Sequence, residues 1–437
     1  MSFTSPLFLF LFLPISLISF YLVPQKLKNL YLLIISILFY SWADLRVLGV
    51  MLILILGNWS VARSFQIKET RTLLFWAGIS VNILILAFYK YISPTLPLGF
   101  SFFIFHSLSY LIDSYKGDLK DKSLLNLGIY SLYFPHVSAG PISRSLDFFE
   151  KLKGVTVSST KIYDGIILFV VGFAQKMLLA NTFALVANQV FADLHNISFT
   201  SAWLGLVMYT LQIYFDFSGY SNMAIGISRM LGICLPQNFN LPYIATSITD
   251  FWSRWHISLT AMLRQYVYFS LGGNRLGKAR TYLNIIIVFV VSGLWHGTGF
   301  NFLIWGVWHG LFMILERWLA DQKLNLAIPK IFKHLYALLV IMFGWVLFRT
   351  ANLSDAITYL TTLFGSRGYS NSTIYWLSYL SPYTILATTL GIVFALGLGR
   401  VVFRSRVAQA IIFPIVFVMS ILAVAGSTYT SFIYTQF

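Results

Sequence analysis

One histidine stands where a hydrophobic run gives way to glycines. His296 lies in the segment VSGLWHGTGF, residues 291–300, at the end of an apolar run and beside three glycines. An ionisable side chain inside a predicted membrane span is costly and marks a functional site by default. A neutral imidazole can take a proton from a hydroxyl near neutral pH, and glycines let a substrate approach closely. The pattern predicts a general base at His296, with hydrogen bonding for helix packing as the alternative.

A second histidine repeats the same local frame. His309 follows in GVWHG, thirteen residues after His296. In a continuous helix this separation places the two side chains about 220° apart. We therefore expect His309 to support the structure, unless Gly297, Gly299 or Gly306 breaks the helix.

One carboxylate lies in an apolar helical segment. Asp216 shares a predicted helix face with Gln212 and Tyr220, because the three are spaced four residues apart. A lone buried carboxylate needs a partner, so both structural pairing and a direct catalytic role stay open. The candidate partners are His256, His296 and Arg229.

Composition restricts the class of protein that holds these residues. Of 437 residues, 58% are hydrophobic and only 10% are charged, and the mean hydropathy is +0.77. Soluble domains carry about 25% charged residues, so a water-soluble protein is excluded. The apolar runs are long and do not alternate with polar residues, which predicts spanning helices and argues against a barrel. We expect an all-α integral membrane protein with about ten to twelve transmembrane helices.

The net charge of +16 indicates topology and argues against a nucleic-acid partner. Basic residues alternate between successive loops, with the N-terminus outside, until residues 140–161. There the alternation fails unless residues 124–139 form a re-entrant or half-length segment. The first apolar run has no basic start and no cleavage pattern, which indicates a retained helix. The single cysteine, Cys234, excludes an internal disulfide and a clustered thiolate metal site.

The chain reads as one polytopic membrane domain, 1–437, with three zones. Residues 1–122 are predicted to form packed helices. Residues 123–320 contain nearly all histidines and the proline and glycine residues that break helices, and residues 321–437 are again predicted to be membrane-spanning helices. In the middle zone, a capping box at residues 247–250 predicts the start of a helix that runs to Tyr266. The helix is amphipathic, which is typical of helices that lie in the membrane surface, and its polar stripes carry His256, Arg254 and Arg264. Arg275 follows as an anchor. The stripe either binds lipid headgroups or rims an opening for an anionic cytoplasmic ligand.

Several longer motifs occur in order along the chain. They are FPHVSAGPISR (134–144), QIYFDFSGYS (212–221), PQNFN (236–240), FWSRWHISL (251–259), LGGNR (271–275), GLWHG (293–297) and WVLFR (345–349). Together they resemble the membrane-bound O-acyltransferase family, most of all its bacterial alginate O-acetylase type, with the teichoic acid D-alanyl transferases next. The chain departs from the pattern at Gln265, where an aspartate commonly follows the arginine.

The resemblance implies a ring of helices around a central tunnel, with His296 as the catalytic histidine and His256 as a second motif histidine. It implies no bound cofactor or metal. Asp216 and Asn238, within the matching motifs, are expected to contact substrate.

The resulting hypothesis is acyl transfer across a bacterial cell (inner) membrane. An acyl thioester such as acetyl-CoA enters from the cytoplasm, Arg254, Arg264 and Arg275 attract its phosphates, and His296 activates a hydroxyl from outside. An acyl-histidine intermediate is also open. The acceptor is a hydroxyl of an exported polysaccharide or cell-wall glycan, or a serine on a partner protein outside that completes the transfer. We favour a separate extracytoplasmic acyltransferase partner. The alternatives are D-alanyl transfer to teichoic acid, a proton-coupled transporter or flippase that uses Asp216 and the histidines, and a non-catalytic scaffold.

Overall fold

A computed structural model describes residues 2–42, 44–93, 96–97, 99–137, 140–194, 196–322, 328–366, 378–399 and 405–426. Within these ranges the regular structure is helical throughout, and no strand occurs. The predicted all-α class is confirmed. Ser138 and Ala139, in the predicted half-length segment, lie outside the described residues.

The α-helices are numbered in chain order over the described residues. The N-terminal ones are α1 (Leu13–Leu22), α2 (Lys28–Ser41), α3 (Leu45–Ser64), α4 (Arg71–Ala87), α5 (Phe100–Lys116), α6 (Leu124–Leu132), α7 (Phe134–Val137), α8 (Ser145–Lys153) and α9 (Ser159–Ala174). The others are α10 (Asn181–Ala192), α11 (Phe199–Met230), α12 (Ile248–Arg254), α13 (Ile257–Leu263), α14 (Lys278–His296), α15 (Phe300–Asp321), α16 (Lys330–Arg349), α17 (Leu353–Thr362), α18 (Pro382–Ala395) and α19 (Arg406–Gly426).

Six helices in the described part of the chain are long and apolar enough to cross a membrane. They are Leu45–Ser64, Arg71–Ile92, Ser159–Ala192, Lys278–His296, Lys330–Arg349 and Arg406–Gly426. Two shorter apolar helices, Phe8–Leu22 and Pro382–Ala395, accompany them. The sequence analysis predicted ten to twelve spans. The apolar runs that match none of these six spans lie on helices that are shorter or more polar.

The chain forms two compact units. The first consists of the described residues within Met1–Phe173 together with Tyr220–Gln237. It contains the predicted half-length segment: α6 has nine residues, about 14 Å at 1.5 Å per residue, and cannot cross a bilayer core of about 30 Å. At the end of α6, the His136 ring stacks on His106 with 4.2 Å between centroids, and its Nε2 donates to the Tyr130 carbonyl oxygen at 2.7 Å. The short helix that the charge pattern required is therefore confirmed.

The second unit consists of Ala174–Gly219 together with the described residues within Asn238–Ile433, and its central feature is a helical hairpin. Helix α14 ends at His296, and α15 begins at Phe300, so the glycines between them break the helix. The two helices pack closely through Gly293 and Gly306. A Cβ atom at Gly293 would overlap the carbonyl oxygen of Phe302, and one at Gly306 would overlap that of Phe289. Only glycine fits at these two contacts.

The single amphipathic helix predicted from residue 247 to Tyr266 was wrong. Its start is confirmed, since Ser247 Oγ accepts from the Asp250 amide at 2.9 Å. However, α12 ends at Arg254, α13 starts at Ile257, and residues Arg264–Tyr268 are π-helical. The break lies at His256, whose φ of +43° is rare for a residue with a side chain.

Gly306→Ala should prevent the close approach of α14 and α15. We expect less folded protein in the membrane and a lower Tm, measured by gel filtration of heated, detergent-solubilised samples. Gly57→Ala is the matched control, because no atom lies within 4 Å of a Cβ there and alanine favours helix. A wild-type Tm for Gly306→Ala would contradict the packing described above.

Candidate active site

His296 is the last residue of α14 and lies among aromatic rings. Its centroid is 4.7 Å from that of Trp295, 4.9 Å from that of Trp305 and 5.2 Å from that of Phe348. The side chain is buried. The arrangement suits a general base in a site with restricted access for water.

The ring of Phe348 is positioned by the start of α15. Asn301 Nδ2 donates to the carbonyl oxygens of Leu347 and Thr350, at 3.0 and 2.8 Å. These bonds hold the C-terminal end of α16 beside the start of α15. Phe348 lies between the two bonded positions, so it is held against His296.

His256 occupies the break between α12 and α13, and Asn238 holds it there. Asn238 Oδ1 accepts from the Ser258 amide at 3.2 Å, which identifies this atom as the oxygen. The same oxygen lies 3.1 Å from His256 Nδ1, so Nδ1 must carry the proton. Burial lowers the pKa of His256 well below its usual value. His256 is therefore a neutral imidazole, and its lone pair is on Nε2.

The two motif histidines are neighbours of the same indole. The centroid of Trp295 is 6.4 Å from that of His256 and 4.7 Å from that of His296. The Trp305 ring is a neighbour of both His309 and His296. Its centroid is 5.3 Å from that of His309 and 4.9 Å from that of His296. The helix break at the glycines thus brings all three histidines into one aromatic cluster.

A cavity of about 500 Å³ opens beside this cluster. Helices α12 to α15 line it with mainly apolar side chains, including Trp252 and Phe289. The exposed side chains of Arg264 and Arg317 lie on its lining, and buried Ser292 lies at the opposite, deep end. Ser292 precedes His296 by four residues and so shares its helix face. The cavity therefore leads from two cationic groups towards His296.

The N-terminus of α12 is fixed to α15 beside this cavity. Glu316 accepts from the amides of Ile248 and Thr249, at 2.5 and 3.0 Å, and from the Thr249 hydroxyl at 2.7 Å. A carboxylate suits this position, since it meets the positive end of the helix.

The other two predicted arginines differ from Arg264. Arg254 Nε donates to Asp250 Oδ1 at 2.7 Å, and its NH1 donates to the Asn240 carbonyl oxygen at 3.3 Å. Arg275 is exposed and lies outside the cavity lining. Their proposed contacts with the donor stay predictions.

Asp216 pairs with Lys176, a partner that the sequence analysis does not name. Their charged atoms are 2.5 Å apart, and both side chains are 2% exposed. Lys176 lies in the π-helical turn Gln175–Ala180, in the middle of the span Ser159–Ala192. Arg229, one of the predicted partners, instead lies 3.8 Å from Asp164.

Comparison with known proteins assigns this site to a family. The sequence profile of "MBOAT, membrane-bound O-acyltransferase family" matches residues 8–351. The chain belongs to this family. It is therefore a multi-pass membrane O-acyltransferase, and the matched region includes His256, His296 and His309.

Relatives of this acyltransferase with known names modify glycans. A "Probable alginate O-acetylase AlgI" of Pseudomonas putida is 36% identical, over 100% of both chains. The "Peptidoglycan O-acetyltransferase" of Helicobacter pylori is 32% identical over 84% of this chain and 80% of its own. The "Teichoic acid D-alanyltransferase" of Bacillus subtilis is 30% identical over 52% of this chain and 61% of its own.

Three residues that the structure singles out were missed in the sequence analysis: Lys176, Trp305 and Arg317. Lys176 carried a usable signal, because a charged residue inside an apolar span demands a partner. Trp305 lies between the two WHG motifs, and Arg317 lies near the end of α15. Neither has a type or spacing that separates it from an ordinary packing or interfacial residue.

Asp216→Leu should leave Lys176 as an uncompensated buried charge. We expect a loss of stability of roughly 3 to 5 kcal/mol, measured as a lower Tm and a lower amount of folded protein. The double variant Lys176→Met, Asp216→Leu should recover most of that loss, because neither charge remains. Glu150→Gln, which breaks the exposed pair of Glu150 with Lys153, is the control and should leave the Tm unchanged.

Proposed function

We propose that this enzyme transfers an acetyl group from a cytoplasmic thioester to a hydroxyl of an exported polysaccharide or cell-wall glycan. The observation that carries the proposal is the position of His296, one helical turn beyond the deep end of a cavity with two arginines on its lining. The names of the relatives support the acceptor class, because those matched over most of their length are glycan O-acetylating enzymes. Since these relatives are bacterial proteins, we place the enzyme in a bacterial inner membrane.

The cavity suits the donor. A coenzyme A thioester has an anionic, phosphate-bearing end and a long, weakly polar arm that ends in the acyl group. Arg264 and Arg317 can bind phosphate by charge-assisted hydrogen bonds. The mainly apolar walls can contact the arm. Ser292 lines the cavity one helical turn before His296, so an acyl group beside Ser292 is close to His296. Acetyl-CoA meets these requirements without any bound cofactor.

In the proposed reaction, His296 removes the proton of the acceptor hydroxyl as its oxygen attacks the thioester carbonyl carbon. The new C–O bond forms, the C–S bond breaks, and the imidazolium returns the proton to the departing thiolate. The products are an O-acetyl ester and a free thiol. His256, kept neutral by burial and held in one tautomer by Asn238, shapes the site without exchanging that proton.

The acceptor arrives from the side opposite the cytoplasm. We propose that a separate extracytoplasmic acyltransferase supplies the hydroxyl that attacks the thioester, and that it then passes the acetyl group to a glycan hydroxyl and regains its own proton. Assays in vesicles therefore contain this partner together with the glycan. A proton-coupled transporter is the competing function. Movement of substrate into liposomes without any acyl donor would favour it.

His296→Ala should abolish acetylation of the exported glycan, because alanine has no group that accepts the proton of the acceptor hydroxyl. The measurement is alkali-labile acetate on isolated glycan, from cells with equal protein levels. His334→Gln is the matched control, since that side chain bonds the Ala245 carbonyl oxygen away from the cavity lining. Retained acetylation in His296→Ala would rule out the general-base role.

Arg264→Gln should raise the apparent KM for acetyl-CoA about tenfold, equivalent to about 1.4 kcal/mol of lost binding, and leave kcat within about twofold. The reason is the loss of one charge-assisted bond to phosphate. Rates are measured in membrane vesicles that contain the glycan acceptor. Arg280→Gln removes an exposed arginine outside the cavity and should change neither constant. Equal KM values for all three proteins would remove Arg264 from the donor site.

A further inference from the structure

Three side chains beside the active site have buried polar atoms that lack a partner. In the part of the chain that the structure describes, the ring nitrogens of His309 and the Nε1 atoms of Trp252 and Trp305 have no hydrogen-bond partner. The three rings are mutual neighbours, with centroids 5.3 to 5.8 Å apart. A buried donor without an acceptor costs about 1 to 3 kcal/mol. Several such atoms in one cluster indicate a place for a polar ligand.

The cluster lies between the cavity and His296. Trp252 lines the cavity, and Trp305 contacts both Trp252 and His296. The Trp305 ring is almost perpendicular to that of His296, at 84°, and its side chain is 1% exposed. An acyl group that reaches His296 from the cavity therefore passes these indoles.

We propose that the Trp305 indole N–H donates a hydrogen bond to the carbonyl oxygen of the transferred acyl group. This inference rests on the proposed acyl transfer. When the hydroxyl oxygen adds to the carbonyl carbon, the carbonyl oxygen gains negative charge, which a buried donor stabilises. The electron pair on this oxygen then re-forms the C=O bond, the C–S bond breaks, and the departing thiolate takes the proton from His296. Trp305 thereby serves as an oxyanion donor and His296 as the base.

The fold keeps this indole in place. Gly306, the residue after Trp305, lies against the carbonyl oxygen of Phe289, so α15 cannot slide away from α14. On the next turn, Trp308 Nε1 donates to the Val340 carbonyl oxygen at 2.9 Å, which attaches α15 to α16. A fixed donor needs little reorganisation during the reaction, which is what makes such groups effective.

Trp305→Phe removes the N–H and keeps an aromatic ring. We expect kcat to fall about 10- to 100-fold, with KM for acetyl-CoA within about threefold, in vesicles that contain the glycan acceptor. Trp305→His, which retains a ring N–H, should have a higher kcat than Trp305→Phe. Trp203→Phe is the matched control: it also loses an indole N–H, but one that donates to the Leu363 carbonyl oxygen away from the cavity lining, and its kcat should equal that of the wild type.

Rates are expressed per folded enzyme, so partial loss of folding does not obscure the comparison. The second measurement is binding of S-acetonyl-CoA, a ketone that cannot be transferred, which Trp305→Phe should leave within about threefold. A wild-type kcat in Trp305→Phe would overturn the inference, as would a loss of analogue binding equal to the loss of kcat. If wild-type vesicles transfer no acetyl group at all, the proposed function fails instead.

Discussion

The catalytic unit depends on how closely α14 and α15 approach each other. Glycines at positions 293 and 306 leave no Cβ between the helices, so each backbone lies against a carbonyl oxygen of the other. This contact places the Trp305 ring against the C-terminal residue of α14 and brings His309 into the same cluster. It also fixes two of the four helices that line the cavity. A wider separation would move His296, the Trp305 indole and the cavity wall apart.

The two motif histidines are both buried but have different surroundings. His256 lies at a helix break, where its Nδ1 donates to Asn238 and burial lowers its pKa. His296 is the last residue of α14 and lies among the rings of Trp295, Trp305 and Phe348. The different roles that we propose for them rest on this difference in surroundings and not on their shared motif.

The features that the sequence predicted correctly are those that depend on neighbouring residues. Ser247 caps a helix, and the charge pattern required a half-length segment within residues 124–139, where the structure has the nine-residue helix Leu124–Leu132. The helix break at the glycines after His296 was only an alternative in the sequence analysis, and the structure has it. The break at His256 could not be predicted, because its stabilising partner, Asn238, is eighteen residues away and pairs only in the fold. For the same reason, the sequence could not predict that Arg264 lines the cavity and that Arg254 does not. Periodicity places both on polar stripes, whereas the contacts with Asp250 and with the cavity lining distinguish them.

The buried pair of Lys176 and Asp216 has a consequence for how the protein is made. The lysine lies in a span that enters the membrane before the aspartate has been synthesised, because Asp216 follows forty residues later. A lone lysine at the centre of a span costs about 2.5 to 3.5 kcal/mol during insertion. The span that contains Lys176 therefore inserts more favourably together with α11, which brings Asp216, than it does alone. Insertion of these two helices is then expected to be cooperative.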